Sequence, residues 1–243
     1  MMNLGGDERI YPASMTKIMT ALLTIENLPD LNETITVPED IFEELTAQDA
    51  SVAGFNPYEQ PTVRDLLYGV LLPSGADACE TLARAVGGSE EGFVAMMNQK
   101  AEELGLTNTH FENCTGLHND NHYSTCRDIA VLMSECLKSD TFREIVTREV
   151  YTTEATASHP EGITLYDTML HRFTSYEMST TLENGAVIEG GKTGFTDEAG
   201  QCLVSFAEYG GEEYILVTAE AMTDSGSAVD SIADASTGYG RLQ

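Results

Sequence analysis

The sequence contains no long hydrophobic run and carries little positive charge. No stretch of 18 consecutive apolar residues occurs, so these residues supply no membrane-spanning helix. Twelve lysines and arginines stand against 40 aspartates and glutamates, a formal net charge of −28. No basic patch or stripe interrupts this acidity. Such a chain repels polyanions, so neither nucleic acid nor an anionic membrane surface is expected as a partner. The carboxylates are spread along the whole chain, as on a heavily solvated surface, and do not form an acidic tail.

Metal and redox patterns are missing as well. Cys79, Cys114, Cys126, Cys136 and Cys202 include no C-x-x-C pair, and their odd number does not suit a disulfide framework. Most are expected to be small buried residues. His110, His118, His122, His159 and His171 lack a ligand spacing such as H-E-x-x-H, so a structural or surface role is expected of each. No internal repeat or low-complexity linker divides the chain. What remains is a sequence of 243 residues, 42% hydrophobic, able to bury a sizeable core as one domain over 1–243.

The hydrophobic periodicity changes along that domain. From residue 15 to 27, Ile18, Leu22 and Ile25 recur at helical spacing, and Ser14 stands where a helix cap belongs. A short strand is expected at 33–37 and a short helix at 41–45. Helices follow over 62–72, 77–86, 91–104 (capped by Ser89), 124–138 (capped by Ser124) and 142–146. Near residue 148 the period falls from 3.6 to 2. Strands are expected at 149–156, 162–168, 186–194, 201–209 and 213–222, the last two joined through Gly210-Gly211 as a hairpin. A weaker helix is expected at 227–235. The fold class is therefore α+β, an antiparallel sheet flanked by helices. An all-helical lobe covers about 38–148, and the sheet lies mainly in 149–222.

Three short motifs carry the chemistry. Ser14 and Lys17 form S-x-x-K at the start of the first helix, one turn apart on the same face. A hydroxyl at the positive end of a helix, beside an amine, can act as an activated nucleophile. Taken alone, such a tetrad is usually a cap followed by a solvated lysine. Pro73-Ser74-Gly75 places a second serine at a tight turn between helices, and Lys192-Thr193-Gly194 ends a strand. Each of these is by itself a common structural feature. In the order S-x-x-K, S-x-x, K-T-G, each on the right kind of element, they match the signature of penicillin-recognising serine enzymes.

Beyond the motifs, 11–23, 64–82, 98–117, 122–132 and 191–207 resemble the D-alanyl-D-alanine carboxypeptidases, the low-molecular-mass penicillin-binding proteins. The resemblance covers nearly the whole chain and implies the β-lactamase/transpeptidase-like fold. It implies that Ser14 attacks the terminal D-Ala-D-Ala bond of peptidoglycan stem peptides to form an acyl-enzyme. Lys17 would be the base, with its pKa lowered by burial and by a neighbouring positive charge. Ser74 would relay a proton to the leaving amine. Lys192 and Thr193 would hold the substrate carboxylate, and Gly194 would let the substrate backbone lie against the strand. Ser14 and Phe195 (or Thr196) would supply the oxyanion amides. No metal or organic cofactor is implied. β-Lactam antibiotics would be inhibitors, and the location would be extracytoplasmic.

Three departures stand out. Ala76 occupies the third position of the second motif, where the family has asparagine, which implies a slower enzyme. The chain offers no arginine after the last strand except Arg241. Only 13 residues precede Ser14, so the signal peptide and N-terminal strands of the family are expected to be missing by truncation. Two further readings follow: an impaired peptidoglycan- or penicillin-binding module, and a β-lactamase. The latter is disfavoured because S-D-N and a clear deacylating glutamate are not found.

Overall fold

The computed structural model describes residues 4–221 and 229–243. Strand β1 (Arg9–Ile10) is followed by a 3-10 turn (Ala13–Thr16) and helix α1 (Lys17–Asn27). The helical lobe then runs through α2 (Ile41–Ala47), α3 (Val63–Leu71), α4 (Ala76–Gly87) and α5 (Glu90–Glu103). After a long loop come β2 (Ser124–Thr125), α6 (Cys126–Cys136) and α7 (Asp140–Val146). The remaining elements are β3 (Val150–Thr152), β4 (Thr164–Tyr166), α8 (Leu170–Ser175), β5 (Val187–Thr196), β6 (Gly200–Tyr209), β7 (Glu212–Ala221) and α9 (Val229–Tyr239).

Helix starts follow local side-chain chemistry. Thr62 and Asp65 form a reciprocal capping box on α3. Ser89 accepts from the Gly92 amide at the start of α5, as the sequence implies. At α6 the cap is Thr125, one residue later than expected. Ser124 is not available for that role because it pairs with Ile10 in the β1–β2 ladder, and its hydroxyl meets Thr109.

The three-stranded antiparallel sheet β5-β6-β7 is the centre of the fold. Its register sets Lys192 opposite Val204, Thr193 opposite Leu203 and Gly194 opposite Cys202. Alternation along β6 divides the core in two. Cys202, Val204 and Phe206 join Ile18, Leu66 and Phe142 on the face toward α1 and the helical lobe. Leu203 and Ala207 pack with Phe173, Ile232 and Tyr239 from α8 and α9 on the other. Each fully buried leucine, isoleucine or phenylalanine here contributes about 1.5–3 kcal/mol. Helix α1 is buried over its first two turns, Lys17 to Thr24, which makes it the shared wall of the molecule.

The α+β architecture with its helical lobe agrees with the periodicity. The sheet is narrower than expected. The segments 149–156 and 162–168 yield only the small β3–β4 ladder, separate from the central sheet. Residues 33–37 form one isolated bridge, Thr34 to Thr62, because their amides pair with the irregular loop before Thr62. Met222 of the expected last strand, and 227–228 of the expected last helix, lie outside the described residues.

Candidate active site

Ser14 lies within the 3-10 turn and does not cap a helix; α1 begins at Lys17, two residues beyond the expected start. The preceding residue, Ala13, holds a left-handed φ of 46°, a conformation unfavourable for a residue with a Cβ. That turn aims Ser14 across the top of α1. Its Oγ, free of any capping bond, accepts from Lys17 Nζ at 2.9 Å. A second donation from Lys17 Nζ, 2.6 Å to the Thr115 carbonyl, fixes the ammonium. Lys17 is only 3% exposed.

Burial lowers the Lys17 pKa below that of an ordinary lysine, while Cys79, Cys114 and Asp77 oppose the shift. Lys192, also buried, is lowered by burial first and then by Lys17, with Asp167 opposing. The repulsion between the two buried lysines is mutual and adds to the effect of burial, as the expectation of a neighbouring positive charge beside Lys17 requires. Lys192 Nζ donates to the Thr193 carbonyl at 3.0 Å.

The loop containing Thr115 is tied to the 3-10 turn and to α1. Besides Lys17, the Thr20 hydroxyl donates to the Cys114 carbonyl at 2.6 Å, and Thr16 Oγ1 meets His122 Nε2 at 2.8 Å. His122 Nδ1 accepts the Glu112 amide, so Nε2 carries the proton and donates to Thr16. Burial pushes this imidazole down to about 3, so it is neutral and structural. Gly116 is required there: with φ +85°, a Cβ would stand 1.9 Å from the Ala13 carbonyl oxygen.

Strand β5 closes the other side. An added Cβ at Gly194 would lie 3.0 Å from the Ser14 amide nitrogen and 3.1 Å from Ala13 Cβ. The missing side chain therefore leaves open the space in front of the Ser14 N–H. Phe195 follows at 53% exposure and borders, with Thr115, Thr196, Glu80 and His118, a cleft of about 700 Å³.

Ser74 sits in the α3–α4 turn with φ +67°, and its buried Oγ has no hydrogen-bond partner among the described residues. Asp77 anchors that turn. Its carboxylate accepts from the Ala53, Gly54 and Phe55 amides and, within the first turn of α4, from the Ala78 amide. Helix α4 packs against α1, the helix that bears Lys17. Thr193 is buried, with its hydroxyl 2.6 Å from that of Thr168.

The fold thus brings Ser14 to Lys17 and sets Gly194 against the Ser14 amide, Lys192 acts on the same buried region, and Phe195 is the predicted residue that borders the cleft. Sequence reasoning missed Thr115, Asp77, Asp167 and Thr168. Thr115 acts through its carbonyl and leaves no side-chain signal. Arg172 on α8 adds a further positive field at Lys192. Four of the five cysteines are buried, Cys126 is half-buried, and all are free thiols. Among the described residues one mixed cluster, Glu80, Glu90 and Cys114, brings metal-capable atoms together. It lies outside the Ser14–Lys17 chemistry.

The model of the family D-alanyl-D-alanine carboxypeptidase, peptidase S11, matches residues 1–223. The D-alanyl-D-alanine carboxypeptidase DacF of Bacillus subtilis is 36% identical over 222 residues, covering 91% of this chain and 54% of that protein. DacC of Escherichia coli is 34% identical over 224 residues, covering 90% and 52%. The chain therefore spans about half the length of these two relatives. In structure it is similar to the Streptomyces K15 DD-transpeptidase, with a TM-score of 0.82 at 32% identity, covering 98% of this chain and 90% of the other. Penicillin binding protein 5 from Haemophilus influenzae superposes with a TM-score of 0.80 at 26% identity, covering 99% and 66%. No helix among the described residues is long and apolar enough to cross a membrane. With nearly the whole chain matched by the family model, and the fold shared with its solved structures, the chain belongs to the D-alanyl-D-alanine carboxypeptidase family.

Proposed function

We propose that this chain is a serine-type D-Ala-D-Ala carboxypeptidase that removes the terminal D-alanine from peptidoglycan stem peptides. The observation that carries the reading is the 2.9 Å contact between Ser14 Oγ and the Nζ of a lysine that is almost wholly desolvated. A lysine with a lowered pKa is neutral more readily and can take the hydroxyl proton as Oγ attacks.

In the reaction, Ser14 Oγ adds to the carbonyl carbon of the D-Ala-D-Ala bond while its proton passes to Lys17 Nζ. The oxyanion takes the open space beside Gly194, facing the Ser14 amide, with the Phe195 amide as the second donor. Lys192 and Thr193 hold the substrate's terminal carboxylate. On collapse the C–N bond breaks, and the nitrogen of the departing D-alanine receives the proton through Ser74, whose unpartnered hydroxyl is free to relay it. Water then cleaves the acyl ester on Ser14. No step requires a metal or an organic cofactor. β-Lactams would acylate the same serine, and the substrate places the enzyme on the extracytoplasmic side.

Ala76 favours one other reading, a binding module with impaired turnover, because it lacks the amide expected to steady Lys17. The Thr115 carbonyl supports Lys17 in its place, which favours an active site over an impaired one. The test is release of free D-alanine from an acyl-D-Ala-D-Ala peptide. Release by the chain and none by Ser14→Ala is expected. Binding of the peptide without release would establish the binding module.

A further inference from the structure

Between β4 and α8 the chain makes a short connection, Asp167-Thr168-Met169, that touches both sides of the opening. Thr168 donates its amide to the Leu72 carbonyl, two residues before Ser74, at 3.1 Å. Its hydroxyl lies 2.6 Å from the Thr193 hydroxyl. Its neighbours hold it in that position. Asp167, buried, accepts from the Met169 and Leu170 amides at 2.9 and 2.6 Å and donates its own backbone amide to the Glu149 carbonyl. Met169 packs so closely on β5 that a Cβ at Gly191 would stand 2.9 Å from its Sδ. Thr168 is therefore a fixed bridge from the Ser74 turn to the Lys192-Thr193 strand.

The pair of hydroxyls has a direction once a carboxylate is present. A hydroxyl has one proton and two lone pairs, and a carboxylate only accepts. For Thr193 to donate its proton to the substrate, the bond from Thr168 must run from Thr168 O–H to Thr193 Oγ1. That donation occupies a lone pair of Thr193, orients its proton toward the opening and strengthens its donation, because linked hydrogen bonds polarise one another.

We propose that Thr168 is a positioning residue of the reaction, orienting the Thr193 hydroxyl toward the substrate carboxylate. This rests on the assignment of Thr193 to carboxylate binding in the preceding section. The hydroxyl-specific substitution is Thr168→Val, which keeps the branched shape and the amide bond to Leu72. Thr168→Ser restores the hydroxyl.

The probes are benzylpenicillin and its methyl ester, which lacks the free carboxylate, with the second-order acylation rate of the full chain followed by intact mass. One lost hydrogen bond of this kind predicts a drop of about 3- to 10-fold for Thr168→Val with the acid. The ester should show little or no drop, and Thr168→Ser should recover the rate. With the D-Ala-D-Ala peptide the loss should appear in KM more than in kcat. An equal drop with acid and ester would mean general disturbance of the site, and no drop with either would mean no role; both overturn the proposal. If the unsubstituted chain is acylated by neither probe, the carboxypeptidase reading fails first, and the proposal fails with it.

Discussion

Lys17 reaches Ser14 and the Thr115 carbonyl from a position with almost no solvent, and its titration is the residue-scale property on which the proposed acylation depends. Only the neutral amine can accept the Ser14 proton. Burial lowers its pKa from the ordinary 10.5, so the ascending limb of the acylation rate should lie below that pH. Below the limb the rate should fall about tenfold per pH unit. A limb still rising at pH 10 would show a lysine with unperturbed titration. Stability follows the same sign: the unfolded chain holds this proton more tightly, so Lys17 costs stability at low pH, and that cost disappears as pH rises through the lowered pKa toward 10.5. At this scale the sequence was informative where side chains do the work. Ser14, Lys17, Ser74, Lys192 and Thr193 can be found because their types and order are distinctive. Thr115 cannot, because its carbonyl is common to every residue, and Thr168 is one threonine among many until the fold sets it against Thr193.

Among the elements, the α3–α4 turn is the most dependent on a single group. Asp77, in the first turn of α4, satisfies the Ala53, Gly54, Phe55 and Ala78 amides, and so ties the loop over residues 51–56 to the turn bearing Ser74. An orphaned buried amide costs roughly 1–3 kcal/mol, so Asp77→Ala should destabilise the protein by at least about 3 kcal/mol in urea unfolding. Asp77→Asn, which keeps one acceptor oxygen, should cost less. Equal stability of Asp77→Ala and the unsubstituted chain would contradict this anchoring role. The helices were legible because α3, α4, α5 and α6 each bury one stripe and carry a cap or a stop. Boundaries slipped where two structures competed for a residue, as when the β1–β2 ladder took Ser124 and left Thr125 to cap α6. The β3–β4 segments alternate like sheet strands, yet the chain turns at Asp167 into α8, and no periodicity marks that turn.

At the level of the whole molecule, two cores meet on opposite faces of β6, and α1 stands between the helical lobe and the sheet. The proposed site lies at that junction, with Ser14 supplied by the 3-10 turn before α1, Lys17 by the start of α1, Ser74 by the helical lobe and Lys192-Thr193-Gly194 by the sheet. The net charge of −28 is spread along the chain and bears on the solvation of its surface. The order of the three motifs in the sequence already implied that they converge, but their separations in space depend on loops whose conformation has no periodic signal. The central claim is that Ser14 is a nucleophile in a formed pocket. Intact mass after incubation with benzylpenicillin, for the chain and for Ser14→Ala, tests it most directly. The account predicts one penicilloyl adduct per chain that is absent in Ser14→Ala. Folded protein that gains no adduct, or an adduct that persists in Ser14→Ala, would contradict it.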